Sequence, residues 1–179
     1  MNTALRVILL AGLMHSTAVV AEVELPAMNY YSSIASTELF TAIKTHPAFA
    51  RLDKELYGSA LQVRVTHSLQ PTAGGKATGF VSAILTGSTL GLIPAVSNNN
   101  LSLVYEIKVH GKTAATFTYQ RTFTRAFNIW AKDETYGLGK DGLEWAKSTA
   151  TQFAADAAND PRVLELKREH DFYFPAAAP

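Results

Sequence analysis

The chain contains no cysteine. That excludes disulfides, thiolate nucleophiles, and zinc or iron–sulfur sites built on cysteine. Charge is also scarce. Asp, Glu, Lys and Arg make up 17% of the residues, against an average near 25%. The longest basic run is the pair Lys167-Arg168, and the formal net charge is +1. Neither a nucleic-acid footprint nor an acidic tail fits that balance. The shortage is local: residues 77–105 include no charged side chain at all. Hydrophobic residues reach 47% of 179, which suits one folded domain with a core and does not suit wholesale disorder.

The first residues read as a secretory signal. Arg6 supplies the positive end, Val7-Ile-Leu-Leu-Ala-Gly-Leu-Met14 an apolar stretch, and Val19-Val20-Ala21 a small-residue cleavage site. The apolar stretch falls well short of the roughly 20 residues that span a bilayer. The expected organisation is a signal peptide at 1–21, a single domain at 22–174 and a disordered tail at 175–179. Export implies a periplasmic or outer-membrane-associated protein.

Alternation and helical spacing then mark the elements. Glu22-Val-Glu-Leu25 reads as a short strand stopped by Pro26, and Asn29-Tyr-Tyr-Ser-Ser33 as a loop. Ser36 is a helix cap, and Leu39, Phe40, Ile43, Phe49, Leu52 and Leu56 form the stripe of one broken helix over 37–57. Leu61, Val63, Val65 and Leu69 alternate with polar residues as a strand. Ser97-Asn-Asn-Asn100 reads as a turn. Leu101, Leu103, Tyr105, Ile107 and Val109 share one strand face, Gly111-Lys112 makes a hairpin turn, and Ala115, Phe117, Tyr119 and Phe123 face the same way on the return. A helix over 141–159 follows, with Asp141 as its cap and a small-residue stripe of Ala146, Ala150, Ala154 and Ala157 around Phe153. Asp160-Pro161 starts a further turn or short helix with Val163, Leu164 and Leu166. This order predicts an α+β fold, a two-layer sandwich with a mainly antiparallel sheet and helices on one face.

No motif carries catalysis. Gly137-Leu-Gly139-Lys-Asp-Gly142 matches a dinucleotide-binding spacing, but too little chain follows for another βαβ unit. Gly111-Lys112-Thr113 resembles the end of a phosphate-binding loop, yet position 106 is Glu106 where that loop needs glycine. His67 and His110 sit in separate strands without ligand spacing. Asp133, Glu134 and Asp141 lack the spacing of a calcium loop. No catalytic residue, cofactor or metal ligand is assigned. Trp130, Trp145, Phe127 and Tyr136 are read as core-edge packing, with an aromatic ligand site or a membrane-interface belt as the sharper alternative.

The candidate site is the apolar segment 80–96. Gly87, Gly91 and Pro94 are poor interior residues for a helix or a strand. A buried core element is one reading of the segment; the other is a loop or short helix at a bilayer interface or between subunits, because an exposed patch of this size is unusual on a soluble monomer. Phe80, Val81, Ile84, Leu85, Leu90, Leu92 and Ile93 are the contact residues.

The string Thr89-Leu-Gly-Leu-Ile-Pro94, the alternating strand after it, the Gly111 turn and the aromatic–threonine strand resemble poorly characterised small envelope proteins and lipoproteins of Gram-negative bacteria. The resemblance covers residues 61–130. It implies an envelope location and an α/β sandwich, with no catalytic role. The acylated cysteine of the lipoprotein members is absent here. The expected function is a non-catalytic bacterial envelope protein whose segment 80–96 contacts the membrane surface or an envelope partner, with a homo-oligomer as one form of partner and nucleic acid excluded. The alternative is a periplasmic carrier of a small apolar or lipid ligand.

Overall fold

The computed structural model describes residues 23–34, 36–72, 95–127 and 138–175. They form β1 (Met28–Ser32), α1 (Thr37–Lys44), a 3-10 turn (Pro47–Phe49), β2 (Leu52–Asp53), β3 (Leu61–Pro71), β4 (Ala95–Val109), β5 (Lys112–Phe127), α2 (Gly139–Asn159) and α3 (Pro161–Tyr173). The strands make one sheet in the order β2-β1-β3-β4-β5. β1 lies parallel to β2 and β3, and α1 belongs to the crossover that a parallel β1–β3 pair requires. β3 and β4 pair antiparallel from Leu61↔Val109 to Pro71↔Asn99. β4 and β5 do so from Val109↔Lys112 to Ala95↔Phe127. The fold is α+β with a mainly antiparallel sheet.

Alternation decides the faces. Val63 and Val65 of β3, and Leu101, Leu103, Tyr105 and Ile107 of β4, are wholly buried, while Arg64, Thr116, Thr118 and Thr122 on the other face are exposed. One core joins the buried face to Leu39 and Ile43 of α1, Ala146, Ala150, Phe153, Ala154 and Ala157 of α2, and Val163 of α3. The alanine stripe lets α2 lie close to the sheet, and Phe153 fills the gap. Its ring stacks on Tyr105 at 4.6 Å and meets Phe49 at 5.5 Å and Phe117 at 5.3 Å. Burying a side chain of this size stabilises by about 1.5–3 kcal/mol.

Several local readings change. Residues 29–33, expected as a loop, mostly belong to β1. Pairing with β2 and β3 on its two sides overrides the polar character of Asn29, and pairing with Val65 of β3 that of Ser32. Glu24 and Leu25 lie outside any strand, and Leu25 N–H donates to the Ala48 carbonyl at 2.9 Å. The expected broken helix ends at Lys44. Pro47 opens a 3-10 turn, and Leu52 continues as an edge strand beside Met28. Asn98, Asn99 and Asn100 are strand residues of β4, held between β3 and β5. The hairpin turn is centred on His110 and Gly111, at φ 49° and 78°, the left-handed pair that matches the twist of two strands. α2 begins at Gly139 after Leu138, with no side-chain cap, and Asp141 stands in its first turn, where a carboxylate suits the helix dipole. Ser36 does cap α1, its hydroxyl accepting from Leu39 N–H.

Candidate functional site

Two segments leave the same end of the sheet. Residues 73–94 connect Thr72 to Ala95, and residues 128–137 connect Phe127 to Leu138. Ala95 and Phe127 are cross-strand partners, so the two segments start from adjacent strands. The seven contact residues expected from the sequence, Phe80, Val81, Ile84, Leu85, Leu90, Leu92 and Ile93, all fall in 73–94 and lie outside the described residues. So do Trp130, Asp133, Glu134, Tyr136 and Gly137, together with the expected signal peptide. Of the segment 80–96, Ala95 and Val96 belong to β4.

The end of the sheet from which they spring is well defined. Thr72 donates both its N–H and its hydroxyl to the Asn98 carbonyl, at 3.0 and 3.3 Å. That clamp fixes where β3 parts from β4. Asn98 Oδ1 is buried and takes no hydrogen bond from a described residue. Below lie Leu101 and Leu138, both buried. A Cβ added at Gly142 would stand 3.3 Å from Leu138 Cβ and 3.6 Å from Leu101 Cδ2, so this glycine lets the first turns of α2 approach β4. Trp145 closes the floor edge-on against Phe123, with ring centroids 5.7 Å apart. Trp145 is thus core-edge packing, as its sequence context implied.

The other candidates are not brought together. His67 Nδ1 lies 2.8 Å from Ser33 Oγ, which also accepts the His67 N–H at 3.1 Å. His110 occupies the hairpin turn, its N–H donating to the Ala60 carbonyl. Leu61 pairs with Val109 and His67 with Leu103, so the two histidines sit about 20 Å apart along the strand. Gly139 and Gly142 belong to α2. Among the described residues, no helix is long and apolar enough to cross a membrane.

Two tyrosines on the helix-facing side of the sheet hold α2 in place. Tyr105 contacts Thr149 Oγ1 at 2.9 Å, and Tyr119 donates to Asp156 Oδ2 at 2.6 Å. Burial raises the Tyr105 phenol well above its ordinary range. Burial, and then the hydrogen bond to Asp156, do the same for Tyr119. Both phenols therefore stay neutral and act as donors. Sequence reading placed these rings in the core but had no signal for the hydroxyl partners, which come from a helix about 40 residues away.

An α+β domain with a five-stranded sheet, in which β3, β4 and β5 are the long strands, is the class that these features define. No family model matches the chain, and no curated protein sequence is similar to it. Among solved structures it is similar to the rare lipoprotein B from Shewanella oneidensis, at 12% identity and TM-score 0.34 over 83% of this chain and 98% of that one. It is also similar to a minor lipoprotein from Acinetobacter baumannii, at 13% identity and TM-score 0.28 over 87% and 99%. An uncharacterized lipoprotein B from Nitrosomonas europaea gives 14% identity and TM-score 0.37 over 95% and 97%. TM-scores this low do not define a shared fold.

Proposed function

We propose that this is a non-catalytic bacterial envelope protein whose segment 80–96 contacts the membrane surface or a partner subunit. The observation that carries the reading is the absence of any charge from residue 77 to residue 94, ahead of β4, in a chain whose first residues read as a secretion signal. A soluble domain seldom presents so large an apolar stretch without something to cover it. The two ends of the segment support the reading. Thr72 is clamped to Asn98, and Ala95 pairs with Phe127, so a contact made there is anchored in the sheet.

The test is the triple change Leu85→Asp, Leu90→Asp and Ile93→Asp in the full chain, expressed in its host and fractionated. Release of the protein from membranes, or dissociation of its oligomer, is the expected result. A variant that fractionates and sediments as the wild type does would discard the reading. Lipid copurifying with the wild-type chain in native mass spectrometry, and lost in the variant, would instead favour the carrier role.

A further inference from the structure

We propose that the outer edge of β5 accepts an added strand from another protein, an extended segment rich in acidic residues. This surface is separate from segment 80–96. β5 is the last strand of the sheet, and no described residue pairs with its outer side. An unpaired edge presents a row of N–H and C=O groups to any chain able to extend beside it.

Sheet edges are normally blunted by shortness, proline, bulges or a covering element. β5 is 16 residues long and has neither proline nor glycine between Lys112 and Phe127. The register with β4 is irregular only between Ile107 and Lys108, next to the turn. From Ala115 to Phe127 the pairing runs unbroken, leaving an edge without a bulge there. Its Thr and aromatic content is that of a stable strand.

Charge selects the occupant. β5 carries Lys112, Arg121 and Arg125 and no carboxylate. The Arg121 guanidinium lies over the Phe123 ring at 5.2 Å and joins none of the ion pairs among the described residues. Arg162, over Phe117 at 5.8 Å, is already held by Asp160 at 2.7 Å. Among the described residues, Arg121 is thus a charge on β5 with no ion-pair partner. Two copies joined through β5 would line up basic residues with no acid between them. A strand with glutamate or aspartate near Arg121 supplies the missing charge, because opposite charges across strands attract and like charges repel.

The experiment uses the full chain and a fluorescein-labelled peptide of about twelve residues alternating threonine with glutamate, an extended acidic probe. The same peptide with lysine for glutamate is the control. Hydrogen exchange reads the site. The acidic peptide should slow exchange in β5 and leave β1 and β2 unchanged, and the lysine peptide should do neither. Arg121→Glu should weaken the acidic peptide about tenfold or more, and Arg121→Gln by less, with the melting temperature of both unchanged. Any of three results overturns the proposal: no slowing in β5 at millimolar peptide, equal effects of both peptides, or a wild-type dimer with β5 already protected. Neither variant touches segment 80–96, so failure here leaves the membrane-or-partner reading standing.

Discussion

The Tyr105 hydroxyl lies 2.9 Å from Thr149 Oγ1, and the Thr149 hydroxyl donates in turn to the Ala146 carbonyl at 2.8 Å. A buried chain of two hydrogen bonds therefore ties the middle of β4 to the middle of α2. Tyr105→Phe removes one donor and leaves Thr149 satisfied, so it should cost about 1 kcal/mol. Thr149→Val keeps the shape but strands a buried phenol, whose remaining contact is Ala146 O at 3.4 Å. That change should cost about 1–3 kcal/mol, more than Tyr105→Phe. Urea unfolding of both single variants and the double variant checks the order. The double variant should cost less than the sum.

Phe153 touches three aromatic neighbours from three elements and is fully buried. Phe153→Ala should therefore cost about 3–5 kcal/mol. The exposed pair Lys147–Glu38, 2.7 Å apart between α2 and α1, joins the same helices but in solvent. Lys147→Ala should change stability by less than about 1 kcal/mol. Thermal melts of the two variants separate burial from surface charge as the force that seats α2.

Residues 101–109 and 113–125 were readable as strands because apolar residues recur at every second position from Leu101 to Val109 and from Ala115 to Phe123, with Arg121 as the break in the second. The α2 stripe was readable for the same kind of reason. Asn29 and Asn98 misled because their strands are ordered by neighbours distant in sequence. Asn29 sits between Asp53 and Gln62, and Asn98 opposite Thr124. Local propensity cannot register such pairing. The same limit hid the β5 edge. Alternation announces a strand, but only the order β2-β1-β3-β4-β5 shows that it is the last one. The apolar residues proposed for contact were visible as a composition gap, and nothing in their periodicity assigns them an element.

Alkaline pH should destabilise the fold. Burial raises the phenols of Tyr105, Tyr119 and Tyr30. The folded chain then holds these protons more tightly than the unfolded chain, whose tyrosines ionise near pH 10. The associated stability is fully present below about pH 10 and is lost as pH rises above it toward the folded values. Urea unfolding should show a free energy that falls above about pH 10. At about pH 11 the native chain should absorb less as tyrosinate than the unfolded chain does. Tyr119→Phe should narrow that gap.

Acid acts on a different corner. Asp160 ends α2 and caps α3: its carboxylate accepts from Arg162 N–H at 2.9 Å and from the Arg162 guanidinium at 3.0 and 2.7 Å. The side-chain bond from Arg162 is the main reason that its carboxyl lies below the usual carboxylate range. A lowered carboxyl pKa contributes stability that is fully present above the unfolded value, near 3.9, and is lost as pH falls below it through the lower folded value. Asp160→Ala removes cap and charge together and should cost about 1 kcal/mol at neutral pH. Asp160→Asn keeps an oxygen for the cap and should cost less. The decisive reading is the pH dependence of the difference between wild type and Asp160→Asn. It should shrink as pH falls below about 4 and vanish once pH is below the lowered folded value, where the wild-type carboxyl is neutral too. A difference that stays constant down to about pH 2 would mean that charge on Asp160 does not help hold α3, and that the buried Val163 and the cap geometry alone seat the helix.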